Sequence, residues 1–248
     1  MLTIEKTVLP SPEQWEIIIE GMRNPMNSWD KMDSEAHYSL FGNASSFFMG
    51  DNDYDLMERL ANGGAVHAKY RRMIPVWVTI NAPLYWWKEF DTYKVGTVCN
   101  SCSTMHKIHS KEFVEEDFSC ERLYTAFATE TFWDVVDALN NARNNYLETK
   151  DKRHWYEMIQ LLPTSYNQKR TVMLNYEVLV NIYKWRRNHK LDEWHTFCNW
   201  IEGLPYADLI IGGVNDEKRK CVKPVGMNTT HTPSMLSACV LTARLKGV

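Results

Sequence analysis

Apolar positions in this chain recur mostly at helical spacing, and one stretch concentrates them. Between Leu161 and His195, apolar side chains fill most positions from Thr171 to Trp185, which predicts a loop after Pro163 feeding one long buried helix. Set into that surface are Asn175, Asn181 and Arg186. A polar group buried without a partner costs roughly 1–3 kcal/mol, so something must satisfy each of them. At about 100° per residue, Asn175, Leu179, Ile182 and Arg186 fall on one stripe, and Asn181 lies about 140° round the helix from Arg186. The plain alternative is that both asparagines bond nearby backbone and that Arg186 complements the negative end of the helix.

Before this stretch, Ser11-Pro12-Glu13-Gln14 has a capping hydroxyl, a proline at the first helical position and a glutamine three residues on, which predicts a helix to about Arg23 with Trp15, Ile18, Ile19 and Met22 on its inner face. Asn24 to Asp53 reads as a long irregular passage. Asp55 to Ala61 reads as a short helix stopped by Asn62-Gly63-Gly64. A basic cluster, His67, Lys69, Arg71 and Arg72, then precedes Ile74 to Ile80, whose β-branched and aromatic run predicts a strand. The cluster is either a phosphate-facing group or a solvated loop. Helices are expected from Ser119 to Leu147, with Asn140-Asn141 a weak point, and from His154 to Leu161. A further helix should end at Gly203-Leu204-Pro205. Tyr206 to Val214 reads as helix or strand, Gly226 to Pro233 as loop, and Ser234 to Leu245 as a last helix. The chain is read as a single domain over 1–248, with 205–248 as a C-terminal extension.

Composition narrows the class. In 248 residues there are ten Trp, twelve Tyr and nine Phe, enough bulky apolar area for a substantial core, and 24% charged residues with net charge −3 describe an ordinary soluble surface. Basic residues are interspersed with acidic ones, so no stripe for a nucleic-acid polymer can be traced. Six cysteines are too sparse for a disulfide scaffold in a chain of this length and fit a reducing compartment. No run of about 18 apolar residues and no secretory leader is evident, so a cytoplasmic location and no membrane span are expected.

Cys99, Cys102, His106 and His109 are residue types that zinc accepts. Their spacing of three, four and three is also that of one helical face, and zinc sites usually draw their ligand pairs from separated segments, so no metal is assigned.

Leu162-Pro163, then Asn175, Leu179, Asn181 and Arg186, followed by His189 and Trp194, resembles the C-terminal half of the flavin-dependent thymidylate synthases. Upstream, a strand leading into Ala82-Pro83 and a short aromatic helix resembles that family's lead-in to its signature, Arg-His-Arg, two residues, Ser. The signature falls on Thr92-Tyr93-Lys94-Val95-Gly96-Thr97, where Lys94 keeps a charge and Thr97 a hydroxyl. A later family Ser falls on Cys102, a nucleotide-binding Arg falls on Ile159, and the family has one more residue between Arg186 and His189.

The resemblance implies an α/β fold, a twisted mixed sheet flanked by long helices, assembled as a homotetramer with active sites between subunits. It implies methylation of dUMP to dTMP, with methylenetetrahydrofolate as carbon donor and FAD reduced by NADPH. Arg186 would hold and polarise the uracil. Lys94, Thr97 and Cys102 would also bind substrate, and Thr92, Tyr93, Lys94, Asn175, Asn181 and His189 would bind the cofactor. For the missing phosphate contacts, Arg71, Arg72, Arg153 or Lys169 is a candidate substitute. The altered signature also admits a member that binds a nucleotide or flavin without this chemistry, or that modifies a different pyrimidine nucleotide.

Overall fold

The computed structural model describes residues 1–39, 42 and 44–212. Along the chain run β1 (Thr3–Val8), α1 (Pro12–Arg23), β2 (Glu35–Tyr38), β3 (Ala44–Phe48), α2 (Asp51–Asn62), β4 (Pro75–Pro83), α3 (Leu84–Phe90), β5 (Val98–Ser101), α4 (Ala126–Thr149), α5 (Lys152–Leu161), β6 (Asn167–Asn175), α6 (Tyr176–Arg186), α7 (Asp192–Glu202) and α8 (Asp208–Ile211). The α/β fold is the one the resemblance implies, although the sheet, expected to be mixed, is antiparallel among the described residues. Its main sheet has the order β1-β4-β6-β5, with every pairing antiparallel, and β2 and β3 form a separate hairpin.

Alternation along β4 sets the layers. Val76, Val78, Ile80 and Ala82 are fully buried beneath the helices. On the opposite face Val8, Trp77, Met173 and Val98 register across all four strands, and Val98 is 62% exposed. The α1 cap forms as its letters predict: Ser11 Oγ accepts from Gln14 N at 3.3 Å, and Gln14 Oε1 accepts from Ser11 N at 2.8 Å. Trp15, Ile18, Ile19 and Met22 are its buried residues.

The long helix expected from Thr171 divides in two. Residues to Asn175 form β6, with Gln168, Val172 and Leu174 buried and Lys169 and Thr171 exposed, a period of two that a dense apolar run conceals. Asn175 is the N-cap of α6, its Oδ1 accepting from Val178 N at 3.1 Å, so it ends the strand and starts the helix. The Cys99–His109 segment is no helix either. It is the edge strand β5 followed by turns, with Cys99 and Cys102 exposed, and among the described residues no group of three or more His, Cys, Asp or Glu is placed to hold a metal ion.

The passage after Asn24 is organised by one carboxylate. Asp53, fully buried, pairs with Arg23 at 2.5 Å through Oδ1, and its Oδ2 accepts from the backbone of Asp33 at 2.9 Å and Ser34 at 2.8 Å. Burial alone would raise this carboxyl, but hydrogen bonds from Ser34, Asp33 and Arg23 outweigh it and hold it below its usual range. A short hairpin therefore replaces the structureless loop expected there.

A second apolar cluster joins α4 and α5 through Val136, Leu139, Ala142 and Met158 to Phe113, Phe118 and Tyr166. α4 begins at Ala126, later than expected, because Thr125 Oγ1 caps it through Ala128 N at 3.2 Å. Asn140, read as a weak point, clips the loop to this helix: it accepts from Phe113 N at 2.9 Å and donates to Phe113 O at 3.0 Å. Residues 205–212 are part of the main core: Leu209 and Ile210 are buried, and Tyr176 OH donates to Pro205 O at 2.6 Å. The loop and last helix expected after Val214 lie outside the described residues.

Candidate functional site

The site is built where α3, the loop after it, and the turn joining α6 to α7 converge. Trp86, Trp87 and Phe90 fix α3 in the core, with Trp86 packed against Trp194 and Phe197 of α7. That leaves Glu89 at the rim. Glu89 Oε2 accepts from Arg186 Nη1 at 2.8 Å and from Trp194 Nε1 at 2.9 Å, and His189 Nε2 lies 3.4 Å away. Arg186 Nε donates to Tyr93 OH at 2.9 Å, while its guanidinium lies 4.8 Å from the Trp194 ring centre. His189 Nδ1 accepts from Leu191 N at 3.2 Å, so the proton of the neutral ring sits on Nε2, facing Glu89.

This cluster is half-buried: the side chains of Arg186, His189 and Glu89 are 17%, 25% and 33% exposed. Among the described residues, two of the five guanidinium hydrogens of Arg186 are engaged by hydrogen bonds, which leaves three for a ligand. The charge is already matched by Glu89. What the group offers is therefore oriented hydrogen bonds to a neutral acceptor such as a carbonyl oxygen, rather than a naked cation.

A second group gathers at the other end of α6, about 16 Å away along the helix axis. Gly96 has φ +78°, and a Cβ on it would come within 3.1 Å of Asn175 Nδ2 and 3.2 Å of Val178 Cγ2. The 92–97 loop is thus pressed along α6, with Tyr93 at Arg186 and Gly96 at the capping asparagine. Thr97 Oγ1 is buried with no hydrogen-bond partner among the described residues. Near the same helix end, Arg71 Nη1 lies 3.8 Å from Glu177 Oε2, and among the described residues neither Arg71 Nε nor Glu177 Oε2, both buried, has a hydrogen-bond partner. Three buried polar atoms without partners at one helix end are the kind of deficit a bound ligand makes good.

The remaining residues are scattered. Thr92 Oγ1 donates to Glu89 O at 2.7 Å and so finishes α3, and Lys94 is exposed. Asn181 is exposed on the outer side of α6. Cys102 is exposed beyond β5, where its backbone pairs with Lys169 O and the Gln168 side chain, both at 2.9 Å. Although Cys99 is exposed, partial desolvation by its surroundings pushes its thiol up, opposite to what a reactive thiolate needs. Of the substitute phosphate groups, Arg153 pairs with Asp151 at 2.6 Å and Lys169 with Glu5 at 2.8 Å, while Arg71 is buried and Arg72 exposed. Sequence reasoning missed Glu89, because nothing local marks one acid on an aromatic helix as the partner of an arginine 97 positions on.

No protein-family model matches the chain, and no curated protein matches its sequence. Similarity appears among solved structures. Thymidylate synthase X (ThyX) from Helicobacter pylori, determined with FAD and dUMP, shares 17% identity over 85% of this chain and 95% of that one, with a TM-score of 0.56. Another structure of the flavin-dependent ThyX of that organism, also with FAD and dUMP, gives 16%, 85%, 96% and 0.54. The UMP/dUMP methylase PolB from Streptomyces cacaoi, bound with 5-Br dUMP, gives 12%, 82%, 88% and 0.51. The chain has the fold of these enzymes.

Proposed function

We propose that this chain is a dUMP-methylating enzyme that converts dUMP to dTMP, taking carbon from methylenetetrahydrofolate and reducing equivalents from NADPH through FAD. The observation that carries the reading is Arg186, held by Glu89 and Tyr93 with three donors left over. A pyrimidine carbonyl accepts from those donors, and the negative charge its oxygen carries once C5 has been made nucleophilic, before C5 spends that electron pair on the carbon donor, is stabilised by hydrogen bonds aimed before the reaction begins. His189 and Trp194 keep the Glu89 carboxylate in place, so their part is positioning.

Thr97, Asn175 and Arg71 fit the cofactor, because they supply a hydroxyl, a carboxamide and a guanidinium near a helix N-terminus with polar atoms unpartnered. FAD supplies the hydride chemistry when bound, and the protein supplies position and exclusion of water. Exposed Asn181, with the apolar row Val8, Trp77, Met173 and Val98, fits the homotetramer: a neighbouring subunit would cover the bare sheet and bring a second surface to α6. The chain is taken as a single cytoplasmic domain.

Thr92, spent on finishing α3, and remote Cys102 favour a second reading, in which the fold binds flavin or a different pyrimidine nucleotide without making dTMP. The visible spectrum decides first. Yellow protein, or protein that turns yellow with FAD, supports the enzyme. A colourless preparation that FAD does not change overturns flavin chemistry. Titrations with dUMP and UMP, then a folate-dependent methylation assay, separate the substrates.

A further inference from the structure

A cavity of about 340 Å³ opens between α3, the segment before α4, and the start of α7, and neither Arg186 nor the 92–97 loop lines it. That volume is within the range of small-molecule sites. Its walls carry three cations and three anions that largely cancel. Arg122 pairs with Asp192 at 2.5 Å, and the Met1 amine pairs with Glu121 at 3.2 Å. Two charges are left. Lys190 is exposed and makes no ion pair among the described residues, and Glu193 is 93% buried, as its exposure is 7%. Glu193 Oε1 accepts from Tyr85 OH, and its Oε2 takes no hydrogen bond from a described residue. A carboxylate has about four acceptor positions, so most of this one's capacity faces the cavity it lines. Tyr124, 84% exposed, also lines it and supplies an aromatic ring.

We propose that this cavity binds a planar heterocycle with a 2-amino-4-oxopyrimidine edge and an anionic tail, the chemistry that guanine nucleotides and pterin glutamates share. The ring N–H and exocyclic amine of such an edge are parallel donors that match the two oxygens of Glu193, as the fork of an arginine does. Tyr85 holds the carboxylate in plane, Tyr124 stacks on the ring, and Lys190 meets the tail. The site stands apart from the Arg186 reading for a guanine nucleotide. For a pterin it would seat the carbon donor, and that arm alone rests on the proposed methylation.

The test is calorimetric titration of the full chain with GMP, with 5-formyltetrahydrofolate, and with guanosine and 6-methylpterin as ligands without the tail. Binding of either tailed ligand that Glu193→Gln weakens about tenfold or more supports the site, because the substitution turns an acceptor into a donor facing donors. Lys190→Ala should weaken the tailed ligand several-fold and leave its tailless counterpart unchanged. Tyr85→Phe keeps the carboxylate and gives a several-fold loss, which serves if the glutamine variant does not fold. Failure of both tailed ligands to bind at millimolar concentration, or binding unchanged in both Glu193→Gln and Tyr85→Phe, overturns the proposal. Affinity for dUMP should be the same in all three variants, whereas failure of the Arg186 reading would show as dUMP affinity indifferent to Arg186→Ala.

Discussion

Arg23–Asp53 and Arg71–Glu177 are both largely buried ion pairs, yet they are built to different standards. The first is 2.5 Å long and its carboxylate has two further backbone donors. The second is 3.8 Å long and leaves a nitrogen and an oxygen without a hydrogen bond among the described residues. Desolvating charge is expensive unless every lone pair and proton is used, so a closed pair can serve the fold alone while an open one needs something more. The Arg186–Glu89 pair stands between them, closed on one edge and open on the other.

The strongest way to break this contrast is Asp53→Ala, which should cost about 3–5 kcal/mol of stability by stranding Arg23. Chemical denaturation reads it directly, and a loss under about 1 kcal/mol would mean the closed pair does not hold the hairpin. The same carboxyl predicts a pH signature. Its folded pKa is depressed, so its contribution is complete above the unfolded carboxyl range near 3.9 and disappears as pH falls through the lower folded value. Asp53→Asn should remove that component of acid sensitivity.

Next, Arg186→Ala should weaken dUMP about 100-fold, equivalent to ~2.7 kcal/mol, while flavin is retained. Isothermal titration of the flavin-loaded protein checks this, and unchanged affinity would remove Arg186 from the substrate site. Glu89→Gln should lower kcat/KM for methylation by about tenfold, because the guanidinium loses its aim before it loses its charge. If Glu89 were only structural, a fall in melting temperature would come without that kinetic change.

At the open end the signs should reverse. Arg71→Met with Glu177→Gln should leave stability within about 1 kcal/mol of the parent, since poorly satisfied buried pairs are readily replaced, but weaken FAD about tenfold. Thr97→Val gives the smallest effect, a gain of about 1 kcal/mol in the flavin-free protein with a few-fold loss of FAD affinity. A loss of stability there would show that the hydroxyl already has a partner.

Legibility in the sequence followed the range of the forces. The Ser11 cap and the β4 run are local, and the letters specify them within a few residues, although Ala82 and Pro83, expected to follow the strand, are its last two paired residues. The strand within Thr171–Trp185 was hidden because β6 is central and carries Val172 and Leu174 inward, with only Lys169 and Thr171 to show the alternation. Asp53 and Glu89 were invisible for a different reason: each satisfies donors from elements distant in the chain, and only the fold brings those donors together. Arg186 itself was legible, as a charge in an apolar setting, and its partners were not.

His189 joins two helices through a ring nitrogen that can only receive. Leu191 N donates to that nitrogen at 3.2 Å, so this side chain closes the corner between α6 and α7. The corner also carries Glu89's neighbours, so any slackness introduced there would be felt at the guanidinium before the sheet noticed it.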